Sequence, residues 1–162
     1  MFIIYSLMKR DFTQRFGFLV NDVAKLHGEA FDRLARERIG LSRAQCRLLG
    51  VLAMNDEDGT LSQTELAQRL GLSTMAVATL CDRMAAAGWV RREPSTTDRR
   101  INLIHLEPSA GKALDGALTI SDSLQAKTLG VLEPAERVQL LALLGKVRSG
   151  LVAAAGETEA KP

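Results

Sequence analysis

The chain of 162 residues is poor in the side chains that most often carry chemistry. Its two cysteines, Cys46 and Cys81, have no Cys or His neighbours at metal-ligand spacing, which argues against a zinc site. A far-spaced pair without an export signal is expected to stay reduced. Both fall on apolar helix faces and read as buried hydrophobes; a redox-sensing thiol would need exposure and a nearby positive charge, for which Arg47 beside Cys46 is the one hint. The two histidines, His27 and His105, lie on different elements, and no Ser/His/Asp or Cys/His pairing occurs at an informative spacing. No glycine-rich loop follows a strand, and the acids Asp56, Glu57 and Asp58 lack the alternation of a calcium loop. The sequence therefore offers no catalytic residues, no metal ligands and no cofactor site, and the expectation is a protein that is not an enzyme. Aromatic residues are only 4% of the chain, whereas Ala and Leu are abundant in segments of helical period, so a mainly α protein in one compact unit is expected. The net charge of +2 is too nearly balanced to announce a nucleic-acid partner by composition. Residues 1–7 are apolar but too short to span a bilayer, and they lack the basic start and cleavage site of a signal peptide. Met8-Lys9-Arg10 is an equally good translation start, and residues 1–10 are read as an N-terminal arm on a cytoplasmic protein with no membrane partner.

What is present centres on residues 61–106. Ser62-Gln63-Thr64-Glu65 is a capping box: a hydroxyl meets an orphan helical N–H, and a carboxylate three residues on reaches back. That helix ends at Leu70-Gly71-Leu72, and Ser73 caps a second helix almost at once, so the two must pack at a steep angle as a helix-turn-helix. In the second helix Val77, Leu80, Cys81 and Met84 share a face, leaving Thr74, Met75, Ala78, Thr79 and Asp82 on the other, small enough to sink into a major groove. After Gly88, residues 89–93 and 101–106 read as two strands joined by the turn-rich segment 94–100: a wing. Arg91, Arg92, Arg99 and Arg100 fall at its base and tip, where phosphate and minor-groove contacts are made. The alternative is a helix pair and hairpin of an unrelated small domain, with the arginines as solvated charge.

Around this unit, residues 11–37 carry apolar side chains at Phe12, Phe16, Leu19, Val20, Val23, Leu26, Ala30, Phe31 and Leu34, an amphipathic helix of about 40 Å. That exceeds what a small domain needs to cover itself, and a second copy of the chain is the economical partner; the alternative is a helix that simply wraps its own core. Ser42-Arg43-Ala44-Gln45 is another capping box, starting a supporting helix that buries Cys46, Leu48, Leu49, Val51, Leu52 and Ala53. A helix begins with Pro108 in its first turn, and Glu133-Pro134-Ala135-Glu136 starts a last one whose apolar residues cover more than one face, as at a core or a dimer interface. Residues 156–162 read as a disordered polar tail. The expected fold is thus mainly α with a small β-hairpin: a winged helix-turn-helix domain at 41–107, and a helical dimerisation region from 11–40 and 108–155.

This order resembles the MarR family, the multiple-antibiotic-resistance regulators, over nearly all of residues 11–151. The most specific pieces are Leu61-Ser62-Gln63-Thr64-Glu65-Leu66-Ala67, the run from Asp82-Arg83-Met84 to Gly88-Trp89-Val90-Arg91-Arg92, and Asp98-Arg99-Arg100 followed by Leu106 and Gly111. The resemblance implies a homodimeric transcription regulator, usually a repressor, that binds palindromic double-stranded DNA. It places Ser73, Thr74, Met75, Ala78 and Thr79 at bases, Arg83 near phosphate, Arg99 in the minor groove, and Asp98 with Arg100 as a brace of the wing; Ser62, Gln63 and Arg91 complete the DNA-binding set. Many relatives have a long polar residue where this chain has Ala78 and Thr79, which predicts reliance on methyl contacts and groove width and a preference for AT-rich palindromes. The resemblance also implies a pocket for a small phenolic or lipophilic effector, with His27, Arg43, Gln45 and Arg47 on the helices lining it. The second functional reading is a protein-interaction module or antirepressor of the same fold whose recognition helix no longer reads DNA.

Overall fold

In the computed structural model, residues 11–55, 60–98 and 101–159 are described. They form α1 (Phe16–Ile39), α2 (Arg43–Ala53), β1 (Thr60–Ser62), α3 (Gln63–Leu70), α4 (Thr74–Ala86), β2 (Val90–Pro94), β3 (Asn102–Leu106), α5 (Gly111–Thr128) and α6 (Pro134–Glu159). The chain divides into two compact units, Met1–Asp122 and Ser123–Pro162, rather than the expected one, with the boundary inside α5.

The signals that start and stop these helices are short-range ones. Asp11 accepts hydrogen bonds from the Thr13 N–H at 2.9 Å and its hydroxyl at 2.6 Å, forming a turn, so α1 begins at Phe16 and not at Asp11. It ends at Gly40, whose φ of 69° is in the left-handed region. In α2 both halves of the Ser42 box are made: the Gln45 N–H meets the Ser42 hydroxyl at 3.3 Å, and the Ser42 N–H meets Gln45 Oε1 at 2.8 Å. Asp32 of α1 accepts the Arg43 N–H at 2.6 Å, tying the end of one helix to the start of the next. Pro108 belongs to a 3-10 turn, Pro108–Ala110, and α5 proper begins at Gly111.

The sheet has one strand more than the sequence suggests. Its order is β1-β3-β2, all antiparallel, with Leu61 opposite Ile104 and Val90 opposite Leu106. The hairpin strands begin one residue later than expected, at Val90 and Asn102. Helices and sheet then close on a single core: Leu41, Leu48, Leu49, Leu52, Leu66, Val77, Cys81, Met84, Ile104 and Ile120 are all fully buried. Each large aliphatic side chain among them contributes about 1.5–3 kcal/mol. Of the residues expected to be buried on α2, Val51 is half-buried and Ala53, its last, is exposed. Where α1 ends against α5 the approach is close, and a Cβ on Gly116 would lie 2.7 Å from Ile39 Cγ2.

In the second unit, Pro134 opens α6 and the Glu133 N–H is met by Glu136 at 2.8 Å. The helix runs on to Glu159, past Gly156 where the sequence predicts a disordered tail. Val138, Leu141, Leu143, Leu144, Val147 and Leu151 are all exposed on it, as are Phe16, Leu19, Val20, Val23 and Leu26 on α1. By length and composition, 23 residues of α6, Pro134–Gly156, could cross a bilayer. Lys146 and Arg148 fall within that stretch, and charges deep in a bilayer are expensive.

Candidate nucleic-acid interface

The helix-turn-helix is built by two caps and a glycine. The Ser62 hydroxyl accepts the Glu65 N–H at 3.2 Å while Glu65 accepts the Ser62 N–H at 2.8 Å, so the box fixes the start of α3. The Ser62 hydroxyl, followed by its N–H, holds the Glu65 carboxyl below its ordinary value. Gly71, at φ 66°, reverses the chain, and the Ser73 hydroxyl accepts the Ala76 N–H at 3.2 Å to start α4.

On α4, Val77, Cys81 and Met84 face the core, which turns Thr74, Met75, Thr79, Asp82 and Arg83 to the outside. Met75 keeps 79% of its surface exposed, and Ala78 is half-buried. The Thr79 hydroxyl donates to the Met75 carbonyl at 3.1 Å, which commits the hydroxyl to the helix and leaves the methyl as its uncommitted end. Ser73, Thr74, Met75, Ala78, Thr79 and Arg83 therefore lie on one helix and its cap, with Ser62 and Gln63 at the head of the helix before it. Ser62 is already engaged by Glu65, and the Gln63 amide nitrogen is buried without a hydrogen-bond partner among the described residues.

The wing arginines that can be described are engaged within the chain. Arg92 reaches from β2 to α4, donating to the Ala78 carbonyl at 2.8 Å and pairing with Asp82 at 2.8 Å. It therefore sets the wing against the middle of α4, a role that no local sequence pattern reveals. Arg91, assigned to DNA from the sequence, pairs with Glu93 and with Glu107 at 3.1 Å. The same sheet face carries His105, with Nδ1 2.8 Å from the Thr60 hydroxyl and Nε2 3.3 Å from Glu93. Beside them the wing loop is organised by Ser95, a buried residue without a local sequence signal: its Oγ accepts the N–H groups of Thr97 at 3.2 Å and Asp98 at 3.4 Å. Asp98 is exposed, and Arg99 and Arg100, expected at the wing tip, lie outside the described residues.

Of the four residues expected around an effector, His27, Arg43 and Arg47 line a cavity of about 310 Å³ together with Phe31, Cys46 and Leu114. Gln45 does not join them; its side chain is taken by the Ser42 cap. Burial pushes the Cys46 thiol up to about 11 and also raises that of Cys81, the reverse of what a reactive thiolate needs. Among the described residues no group of three or more His, Cys, Asp or Glu is placed to hold a metal ion.

A MarR family model matches residues 39–101. The chain is 25% identical over 137 residues to the transcriptional repressor NicR of Pseudomonas putida, covering 85% of this chain and 84% of that one. It is 28% identical over 100 residues to the uncharacterized regulator YfiV of Bacillus subtilis, of which it spans about three fifths, 61%. Among solved structures it is similar to Bordetella bronchiseptica BpsR, whose DNA binding is regulated by 6-hydroxynicotinic acid: TM-score 0.70, 23% identity, 86% of this chain and 97% of that one. It is also similar to a mutant of Escherichia coli MarR complexed with operator DNA: TM-score 0.71, 21% identity, 86% and 99% covered. At such identities the structures speak for the fold, a helical frame with a small three-stranded antiparallel sheet, and the matched sequences speak for the lineage. Over residues 39–101 the chain matches the MarR family, and the curated proteins it resembles are helix-turn-helix transcriptional regulators.

Proposed function

We propose that the protein is a homodimeric repressor that reads a palindromic operator and releases it when a small anionic or lipophilic molecule binds. The carrying observation is α4: one side is locked into the core by Val77, Cys81 and Met84, and the other presents Thr74, Met75 and Thr79. A helix rigid on one side and small or apolar on the other suits a major groove and its thymine methyls. The pairing of Arg92 with Asp82 neutralises the one carboxylate on that surface. Arg83 and the wing tip, Arg99 and Arg100, take phosphate and the minor groove.

The dimer reading rests on the leucines and valines of α1 and α6, which are exposed among the described residues. The effector reading rests on the cavity at His27, Arg43 and Arg47, apolar around Phe31 and Leu114 and cationic at one wall. A repressor of this kind acts in the cytoplasm, on DNA.

The test is a gel-shift titration against the DNA flanking the protein's own coding region, with wild type beside Met75→Glu. Met75 is exposed, so the substitution should leave folding intact while setting a carboxylate against the phosphates. Loss of specific binding by tenfold or more is expected, and unaltered binding would overturn the assignment of α4. No specific binding by the wild type would favour an interaction module with a retired recognition helix.

A further inference from the structure

Outside the helix-turn-helix and the wing, a second surface carries concentrated charge. An open groove of about 750 Å³ runs between α1 and the start of α2, lined by Arg33, Arg36, Arg43 and Arg47 and also by Leu72. Leu72 immediately precedes Ser73, the cap of the recognition helix, so the groove opens beside the end of α4 that would enter DNA. Its acids are fewer, Glu29 and Asp32. Asp32 is already occupied by the Arg36 guanidinium at 2.7 Å and the Arg43 N–H at 2.6 Å. Arg33, Arg43 and Arg47 form no salt bridge among the described residues. The Arg43 guanidinium lies across Gly28, where a Cβ would collide with its Nη1.

We propose that this groove holds the DNA phosphate backbone beside the major groove entered by α4, extending the interface onto α1. The inference rests on the DNA-binding reading of α4. Guanidinium groups in excess of their carboxylate partners, on an open track rather than in a closed pocket, suit a polyanionic strand: each can meet a phosphate oxygen and release a counterion. Such contacts carry no sequence information; they set register and add affinity on any duplex.

Arg33 and Arg36 are the residues to change, because Arg43 and Arg47 also line the smaller cavity. Binding of full-length wild type, Arg33→Gln/Arg36→Gln and Arg33→Lys/Arg36→Lys is measured by fluorescence anisotropy over a salt series. Both the operator duplex and an unrelated duplex of equal length are used. The glutamine variant should lose affinity by roughly the same factor on both, several-fold to about tenfold, with the slope of log K against log salt shallower by about 1–2. The lysine variant should recover most of that slope, and the circular dichroism of all three should coincide. Wild-type affinity and slope in the glutamine variant would overturn the proposal while leaving the role of α4 standing, and so would a loss confined to the operator. If inorganic phosphate raised the melting temperature of the wild type but not of the glutamine variant, with DNA binding unchanged, the groove would belong to a free anion and the proposal would fail. Failure of the wild type to bind either duplex would remove the underlying DNA reading as well.

Discussion

Leu49 in α2 has no exposed surface, while Leu144 in α6 keeps 45% of its surface exposed, although both sit in helices dense in leucine. Around Leu49 the chain supplies every neighbour: α1, α3 and α4 pack on α2, and β3 closes the layer with Ile104. Around Leu144 the described residues leave the helix exposed. Apolar content alone therefore does not separate a buried helix from an exposed one; the pattern does. The buried residues of α2 share one stripe, whereas the apolar residues of α6 cover more than one face, and a helix apolar on several faces must find a second partner.

The sharpest way to break this comparison is to make the same substitution in both places. Leu49→Asp buries a carboxylate with no counter-charge in a closed core and should destabilise by more than about 4 kcal/mol, seen as loss of the cooperative melt and of soluble protein. Leu144→Asp with Leu151→Asp, two turns apart on one face of α6, should keep the winged-helix fold by circular dichroism. If the proposed dimer forms through that face, light scattering should then show a monomer at concentrations where the wild type is dimeric. A variant that stays dimeric would move the interface away from that face.

The next effect is smaller because it concerns one contact. Gly116→Ala adds a methyl where Ile39 Cγ2 already stands 2.7 Å away, and Ile39 is branched at Cβ, so the offending atom cannot swing aside freely. Overpacking of this kind costs about 1–3 kcal/mol. Trimming the neighbour in Ile39→Ala/Gly116→Ala should recover part of the loss relative to the sum of the single changes, a coupling that a double-mutant cycle reads directly. Strict additivity would show that the two helices do not meet there.

What is legible in the sequence follows from range. The capping boxes at Ser42 and Ser62, the Ser73 cap and Pro134 at the head of α6 are readable because each needs only residues within a turn of one another. Strand β1 is not, since three residues show no period and Leu61 becomes a strand only by pairing with Ile104, far along the chain. The wing arginines read as basic but not as partnered: Glu93 meets Arg91 along β2 itself, but Glu107 reaches it only once the hairpin closes, and Asp82 reaches Arg92 only once the hairpin packs on α4. Gln45 has two readings in the sequence, one half of the Ser42 capping box and, through the family resemblance, a pocket wall; the side chain takes the first, the short-range one. The basic groove on α1 has no sequence signature because Leu72 joins Arg33 and Arg47 only across the packed helices.

The smallest effect expected is at the cap of α3. Ser62→Ala removes the acceptor for the Glu65 N–H and should cost about 1 kcal/mol, the usual worth of a helix cap. A pH titration adds information that the melt alone does not. The Glu65 carboxyl sits below its ordinary value because the folded state gives its charged form the Ser62 hydroxyl and N–H. A depressed carboxyl stabilises the fold above its unfolded value, and that contribution disappears as the pH falls through the lower, folded one. The wild type should therefore lose part of its margin over Ser62→Ala on acidification. If the two melts keep a constant separation down through the carboxylate range, the box is held by the serine hydroxyl alone, and the Glu65 half of it contributes nothing to the recognition unit.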